Sequence, residues 1–248
     1  MVFDRDLNRD GKPDLAVAHA GSDAVSVLLG DGSGVLAPPR SHPAPGEPYA
    51  TVTADFNQDG RADLATLLNG TSQLSLLLGG ASGLKQGAVL PVDPGPRALA
   101  VADLNQDGKP DLVVASETAR TVGLLLGDGA GGLAAAGTVP VTSAPWALAT
   151  ADVDGDGRPD VIAATGDPLI EILHGDGQGG VRGRQTLALE EPSPFVVAGD
   201  FTGDGRADLV TAGARAITLL VNDGRGGFVR GSRPETRSVP SAAAVADA

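Results

Sequence analysis

Short apolar segments follow one another along the chain and are separated by turn-forming residues. Segments such as LATLLN (64–69), QLSLLLG (73–79) and LVVAS (112–116) carry apolar residues at consecutive positions, as strands buried on both faces do. Gly and Pro account for 36 and 18 of the 248 residues. Because both residues interrupt helices, this pattern favours many short β-strands.

A nine-residue acidic motif recurs through the whole chain. Its copies are DLNRDGKPD from Asp6, DFNQDGRAD from Asp55, DLNQDGKPD from Asp103, DVDGDGRPD from Asp152 and DFTGDGRAD from Asp200. The spacing of about 48–49 residues is that of a repeat array, and each repeat holds four strand-sized segments. We therefore predict an all-β fold, a β-propeller of five four-stranded blades in a single domain, 1–248. The predicted repeats are 1–48, 49–96, 97–145, 146–193 and 194–241, followed by a closing strand, 242–248.

The segment before each acidic motif is built from small residues, for example ALAVA before Asp103 and ALATA before Asp152. Small side chains suit strands that converge on the axis of a propeller. The C-terminal AAAVADA matches these segments, whereas the lead-in of the first repeat, MVFDR, is short and charged. We therefore expect residues 242–247 to supply the inner strand of the first blade and to close the ring.

The acidic motif has the composition of a loop that binds a hard cation. Positions 1, 3, 5 and 9 carry oxygen-bearing side chains, position 6 is always Gly, and the main-chain carbonyl of position 7 can also turn inward. Six or seven oxygen ligands suit Ca²⁺, and no soft ligand favours zinc or copper. We predict about five structural Ca²⁺ ions, one per repeat. The predicted ligands are Asp6, Asn8, Asp10, Lys12, Asp14; Asp55, Asn57, Asp59, Arg61, Asp63; Asp103, Asn105, Asp107, Lys109, Asp111; Asp152, Asp154, Asp156, Arg158, Asp160; and Asp200, Thr202, Asp204, Arg206, Asp208.

Two other interpretations of the motif were compared with the calcium prediction. An EF-hand requires Glu at position 12, where this chain has Val, Thr or Ala, so that interpretation fails. Asx-rich turns with solvated charges would explain one or two Asp per loop. The loops, however, hold 16 of the 31 acidic residues and only 6 of the 18 Lys and Arg. Most of the formal net charge of −13 therefore belongs to the loops. By ligand charge, we expect the fourth site to be the tightest and the fifth the weakest.

The loops, together with VSVLLGDGSG (25–34) and VGLLLGDGAGG (122–132), resemble FG-GAP or VCBS-type repeats of integrin-α-like β-propellers. The resemblance implies that the acidic loop joins the first two strands of each blade and binds Ca²⁺ on the lower face. Integrin propellers have seven blades, whereas five shorter repeats occur here, so a fragment of a larger ring is the alternative to a five-bladed ring. The second repeat has LLGGASGL (77–84) where others have GDG, so we expect a plain hairpin turn there.

A rim of candidate partner-binding residues is predicted on the face opposite the calcium loops. The connections between repeats carry a Pro-X pair in which the second residue varies, and in four of them that residue is Tyr49, Arg97, Trp146 or Phe195. Tyr, Trp and Arg are favoured at binding hot spots. The alternative is that these side chains only cap the gap between adjacent blades.

Composition and motifs point away from several functional classes. The negative charge opposes nucleic-acid binding, and no apolar run reaches the roughly 18–20 residues of a membrane-spanning helix. His19, His42 and His174 fall at different phases of the repeat, so we expect no common metal site or general base, and His174 replaces an aliphatic residue at a strand end. We predict a non-catalytic, calcium-stabilised, extracellular or cell-surface binding or adhesion module for a protein or glycan. The alternatives are a propeller domain of a polysaccharide-active or lipid-active hydrolase or lyase, and a sugar-binding lectin.

Overall fold

The computed structural model describes residues 2–80 and 83–236, which form five four-stranded antiparallel sheets. The first sheet consists of β1 (Val2–Arg5), β2 (Asp14–His19), β3 (Ala24–Leu28) and β4 (Arg40–Pro43). The second consists of β5 (Pro48–Ala54), β6 (Asp63–Leu68), β7 (Gln73–Leu78) and β8 (Lys85–Pro91). The third consists of β9 (Pro96–Ala102), β10 (Asp111–Ser116), β11 (Thr121–Gly127) and β12 (Leu133–Pro140). The fourth consists of β13 (Pro145–Ala151), β14 (Asp160–Thr165), β15 (Leu169–Gly175) and β16 (Val181–Ala188). The fifth consists of β17 (Phe195–Gly199), β18 (Asp208–Ala212), β19 (Ile217–Asn222) and β20 (Phe228–Arg230).

The predicted all-β architecture of five four-stranded blades is confirmed. Strands pair in chain order within every sheet, so each sheet is a meander built from one repeat. Two short 3₁₀ segments, Ala20–Ser22 and Asn69–Thr71, join second to third strands. Within the described residues, no helix has the length and apolar character needed to cross a membrane.

The inner strand of the first blade differs from the expectation. Val2–Arg5 occupies this position and pairs with Asp14–Val17, although its sequence is short and charged. Backbone pairing with β2 does not depend on small side chains, which is why the charged lead-in still forms the strand. The expectation that residues 242–247 supply this strand is therefore corrected. Those residues lie outside the described ranges, and closure of the ring by them stays a prediction.

The second strand of each central blade is buried on both faces. All six positions of β6, β10 and β14 are buried. Successive side chains of a strand point to opposite faces, and the core follows this rule. Leu112 and Val114 of β10 pack with the second sheet, whereas Val113 packs with the fourth. Consecutive apolar positions are thus explained by sheets that stack face to face.

Four buried apolar clusters hold the described residues together, each between two consecutive sheets. At the inner edge, small residues let neighbouring first strands come close together. Thr150 Oγ1 in β13, for example, donates to the carbonyl of Val101 in β9 at 3.0 Å. The outer strands are less buried: β12 is mostly exposed, and β16 alternates between partly buried and exposed positions. The sheets therefore follow one another as blades of a propeller, with their first strands innermost.

A buried carboxylate links the fourth blade to the connection that precedes it. Glu171 in β15 is fully buried, and its Oε1 accepts the amide N–H of Thr142 at 2.5 Å. Its Oε2 lies 3.4 Å from Nη1 of Arg184 in β16. A charge taken out of water in this way needs its partners, since an unpaired buried charge is strongly destabilising.

Candidate metal centres

Each acidic loop joins the first and second strands of its blade and folds around the carboxylate at position 1. In the third loop, Asp103 Oδ1 accepts the amide of Asp107 at 3.0 Å, and its Oδ2 accepts that of Gly108 at 2.9 Å. The same pair of bonds forms at Asp6, Asp55, Asp152 and Asp200. Gly108 has a φ of 78°, a conformation that a residue with a Cβ rarely adopts. The constant Gly at position 6 is therefore required by the turn.

The side chains at positions 3 and 5 continue the turn. In the first loop, Asn8 Oδ1 accepts the amide of Asp10 at 2.9 Å, and Asp10 Oδ1 accepts that of Lys12 at 3.0 Å. In later loops the basic side chain at position 7 also contacts the carboxylate at position 5, as in the 3.0 Å pair of Lys109 and Asp107. This side-chain hydrogen bond from Lys109 holds the pKa of Asp107 below its usual value.

The Asp at position 9 opens the second strand and is buried in every loop. Both oxygens of Asp111 accept backbone amides, from Leu104 and Gly127, each at 2.8 Å. The equivalent residues Asp14, Asp63, Asp160 and Asp208 make the same two contacts. Burial raises the pKa of Asp111, against the opposing effect of the amide donors. Position 9 therefore anchors the acidic loop to the end of the third strand of its blade.

The fourth loop brings several candidate ligands together. Asp152, Asp154 and Asp156 each place one carboxylate oxygen within 4.8 Å of the others. A Ca²⁺ ion with ligands at about 2.3–2.6 Å separates opposite oxygens by about 4.6–5.2 Å, so these three carboxylates fit its coordination sphere. The donors are all oxygens, which suits a hard cation.

In the other four loops, the predicted ligand at position 3 is an Asn or Thr side chain that takes part in the turn. In the first three loops, position 3 is Asn8, Asn57 or Asn105, and its side-chain oxygen accepts the amide of position 5. In the fifth loop, Thr202 Oγ1 lies 3.5 Å from an oxygen of Asp200. Ligation through the main-chain carbonyls of Lys12, Arg61, Lys109, Arg158 and Arg206 stays a prediction, as does ligation through position 9.

The residue at position 4, which the sequence interpretation passed over, connects loops of adjacent blades. Gln58 Nε2 donates to the carbonyl of Gly108 at 3.2 Å, and Gln106 Nε2 to that of Gly157 at 2.8 Å. Arg9 reaches the carbonyl of Asp59 in the same manner at 3.3 Å. The signal in the sequence was a long polar residue at this position in three repeats and Gly in the last two.

A second missed residue is His174, the penultimate residue of β15. Its Nδ1 lies 3.2 Å from Oδ2 of Asp154 and 3.5 Å from Oδ1 of Asp160. The three side chains form a further group of potential ligands beside the fourth loop. The available signal was a polar residue where Leu29, Leu78, Leu126 and Val221 occupy the other blades.

The candidate partner rim contains a connected cluster. The guanidinium of Arg97 lies over the ring of Trp146, 5.2 Å from its centroid. Glu117 holds both residues, through a 2.5 Å contact with Arg97 Nη1 and a 3.1 Å bond from Trp146 Nε1. Tyr49 is 46% exposed, whereas Phe195 is partly buried. The structure therefore joins two of the four predicted rim residues directly, across the boundary between the third and fourth blades.

Comparison with protein families identifies the repeat. A model described as FG-GAP-like repeat matches residues 6–66, 103–163 and 155–211, each match spanning acidic loops. The chain belongs to the FG-GAP-like repeat family. The FG-GAP matches take in most of the described chain, in agreement with the sequence resemblance. Comparison with curated protein sequences gave no match.

Solved structures with a similar fold support the same architecture for this FG-GAP chain. A lectin from Agrocybe aegerita, described as recognising non-reducing terminal N-acetylglucosamine, aligns with a TM-score of 0.66 and 20% identity. The alignment covers 95% of this chain and 65% of the lectin, so the chain spans less than two thirds of that protein. BBS1N, solved in complex with ARL6DN, aligns with a TM-score of 0.69 and 14% identity over 94% of this chain and 67% of its own. A protein from Lactobacillus plantarum aligns with a TM-score of 0.66 and 18% identity, covering 92% and 69%. At these identities the similarity shows the fold.

Proposed function

We propose that this chain is a calcium-stabilised, non-catalytic binding module that works outside the cell or at its surface. The observation that carries the proposal is the convergence of Asp152, Asp154 and Asp156 within 4.8 Å in a loop whose backbone scaffold recurs in all five blades. Carboxylates that share one point repel each other, and a divalent cation removes this repulsion. Calcium should therefore stabilise the folded state, and the stabilisation should increase with the logarithm of the calcium concentration once that concentration exceeds Kd.

The buried Asp at position 9 supports this proposal by its electrostatics. Burial raises the pKa of Asp63, Asp111 and Asp160, and the neighbouring loop carboxylates Asp55, Asp107 and Asp154 raise it further. The protein's own hydrogen-bond donors and cations thus do not fully offset the cost of burying these three carboxylates in their ionised form. A cation held by the loop would supply that compensation.

Thermal unfolding in chelator and in millimolar Ca²⁺ tests the calcium proposal. We expect calcium to raise Tm, and the substitution pair Asp152→Asn with Asp156→Asn to remove part of that increase. Asp176→Asn is the matched control, since Asp176 lies in the same blade and accepts local amides in the turn after β15. Equal Tm values in chelator and calcium would refute the proposal. Calorimetry should also rank the fourth site as the tightest and the fifth as the weakest.

Recognition is proposed for the rim of Tyr49, Arg97, Trp146 and Phe195, on the face opposite the acidic loops. The stacked Arg97 and Trp146 offer an aromatic and cationic surface that Glu117 holds in place, and Tyr49 adds an exposed aromatic ring. Such preorganised aromatic and Arg side chains are typical of binding hot spots. Similar folds have been solved as a glycan-recognising lectin and in a protein complex, so we propose a glycan or a protein as the ligand.

Glycan and protein arrays, probed with and without chelator, test the recognition proposal. The wild-type chain should bind one class of ligand, and combined substitution of Tyr49, Arg97 and Trp146 by Ala should abolish that binding. The calcium-dependent increase in Tm should persist in this variant, because the loops lie on the other face. Unchanged array binding by the variant would dismiss the rim as the recognition surface.

A further inference from the structure

The fourth blade carries a nitrogen ligand that the equivalent position of the other blades lacks. His174 precedes Gly175, whose amide donates to the position 9 carboxylate Asp160. The same donor position in the other blades is Gly30, Gly79, Gly127 or Asn222, and the residue before it is Leu29, Leu78, Leu126 or Val221. The fold accommodates an aliphatic side chain there, so the imidazole is not required by the architecture.

The environment of the His174 ring leaves one nitrogen without a hydrogen-bond partner. Nδ1 is buried and makes no hydrogen bond of good geometry within the described residues. It points toward the carboxylates of Asp154 and Asp160, at 3.2 and 3.5 Å. Asp160 is fully buried, and its oxygens already accept the amides of Val153 and Gly175. A buried nitrogen in this position requires either a proton or a cation as its partner.

The two distances from His174 Nδ1 to the carboxylate oxygens fit a small metal ion, and the three ligand atoms all lie within 4.8 Å of one another. In a tetrahedral site with metal–nitrogen and metal–oxygen bonds of about 2.0–2.2 Å, adjacent ligand atoms lie about 3.3–3.6 Å apart. The two measured separations, 3.2 and 3.5 Å, fall near this range. Imidazole together with carboxylate suits a borderline first-row ion such as Zn²⁺ or Co²⁺, whereas Ca²⁺ takes oxygen ligands.

The charges around the ring also favour a divalent cation. The fourth loop presents four carboxylates, those of Asp152, Asp154, Asp156 and Asp160. Two guanidinium groups face them: Arg158 contacts Asp156, and Arg182 contacts both Asp154 and Asp156. The carboxylates of this cluster therefore outnumber its guanidinium groups by two.

We propose that His174, Asp154 and Asp160 form a mixed nitrogen and oxygen site for a first-row divalent metal ion. His174 Nδ1 supplies the nitrogen ligand, and Asp154 and Asp160 supply one oxygen each. Arg182 leaves Asp154 when the ion binds, because the two cations compete for the same carboxylate. Asp154 and Asp160 are also predicted calcium ligands of the fourth loop, so calcium and the first-row metal ion would compete for these two carboxylates; His174 is the ligand that belongs to the mixed site alone.

Titration of untagged, chelator-treated protein with Zn²⁺ and Co²⁺ tests this site. We expect one ion to bind per chain by calorimetry. His174→Leu copies the residue of the other blades and should weaken Zn²⁺ binding by at least the roughly 10–100-fold that loss of an outer-shell partner costs. His42→Gln, which removes a histidine from the outer strand β4, is the matched control and should bind as the wild type does.

Nitrogen-15 NMR of the three imidazoles gives a readout that is independent of variant folding. Zn²⁺ should shift the Nδ1 resonance of His174 and leave those of His19 and His42 unchanged. The proposal is overturned if Zn²⁺ leaves His174 unshifted, if His174→Leu binds Zn²⁺ as tightly as the wild type, or if His42→Gln weakens binding equally. The calcium increment in Tm is measured on the same samples. Its absence would count against the calcium proposal alone.

Discussion

Removal of the position 9 carboxylate in the third loop should destabilise the protein even when no metal is present. Asp111 is fully buried, and each of its oxygens accepts one backbone amide at 2.8 Å. Asp111→Ala leaves the amides of Leu104 and Gly127 buried without acceptors. Each unsatisfied buried group costs about 1–3 kcal/mol, so we expect a loss of about 2–6 kcal/mol in the free energy of unfolding.

A second substitution separates hydrogen bonding from charge. Asp111→Asn retains one acceptor oxygen but places an NH₂ group opposite the other amide. It also removes a carboxylate whose pKa burial raises, which recovers part of the cost of burying the charge. We therefore expect Asp111→Asn to cost less than Asp111→Ala, about 1–3 kcal/mol.

Urea unfolding in excess chelator is the assay, because it excludes any contribution from bound calcium. Asp107→Asn is the control: it removes a charge from the same loop at an exposed position, and we expect little change. For a chain of this size, each kcal/mol corresponds to about 2–4 °C in Tm. If Asp111 acted only as a metal ligand, Asp111→Ala would unfold as the wild type does in chelator, and the anchoring argument would be refuted.

Three further changes test other features of the structure. Gly127→Ala should cost about 1–3 kcal/mol, because the added Cβ would lie 2.3 Å from the carbonyl oxygen of Pro110. Gly123→Ala, in the same strand, meets no atom closer than 3.9 Å and should be tolerated; equal urea unfolding midpoints for the two variants would contradict this. Amide hydrogen bonds lower the pKa of Asp128, so the ionised side chain contributes to the free energy of unfolding above about pH 4, and this contribution is lost as the pH falls through the lowered pKa. The difference in stability between the wild type and Asp128→Ala should therefore disappear in acid, and a difference that stays constant down to about pH 2 would contradict this role. Arg184→Ala should cost about 3–5 kcal/mol by urea unfolding, because it leaves the buried carboxylate of Glu171 without its cationic partner. Glu171→Ala removes that charge and leaves only the Thr142 amide without an acceptor, so it should cost less, about 1–3 kcal/mol; the reverse order would show that the ion pair contributes little.

The architecture could be predicted from the sequence because two repeating patterns, one over whole repeats and one within strands, each have a direct structural cause. The recurrence of the acidic motif every 48 or 49 residues places one sheet in each repeat, and consecutive apolar positions mark strands buried on both faces, as Leu112, Val113 and Val114 are. The first blade shows where this reasoning stops. Its inner strand, Val2–Arg5, is set by backbone pairing with β2, and composition gives no signal of that pairing.

The candidate sites could be predicted from sequence only where a repeated pattern carries them. The acidic loops repeat, so their positions could be predicted. The sequence did not show, however, that the Asp at position 1 shapes the loop whereas the Asp at position 9 is a buried anchor. Asp152 is partly buried and turns the loop, whereas Asp160 is fully buried and accepts two backbone amides. The cluster at His174 depends on one residue that differs between repeats, because the other blades have Leu or Val at this position. Only the packing of β15 against the fourth loop brings that ring to the carboxylates.

The geometry of an acidic loop depends on the following blade as well as on its own repeat. Gln106 adopts a left-handed conformation with a φ of 58°, which costs a residue with a Cβ roughly 1–2 kcal/mol, and Gly155 holds the same position in the next loop at 78°. The side chain of Gln106 donates at 2.8 Å to the carbonyl of Gly157, a bond that Gly at this position could not make. The conformational cost of the left-handed backbone at Gln106 is thus offset by a hydrogen bond between blades. Because Gln58 makes the corresponding contact with Gly108, loops two, three and four are linked in sequence, so a change in the geometry of one loop should affect the next.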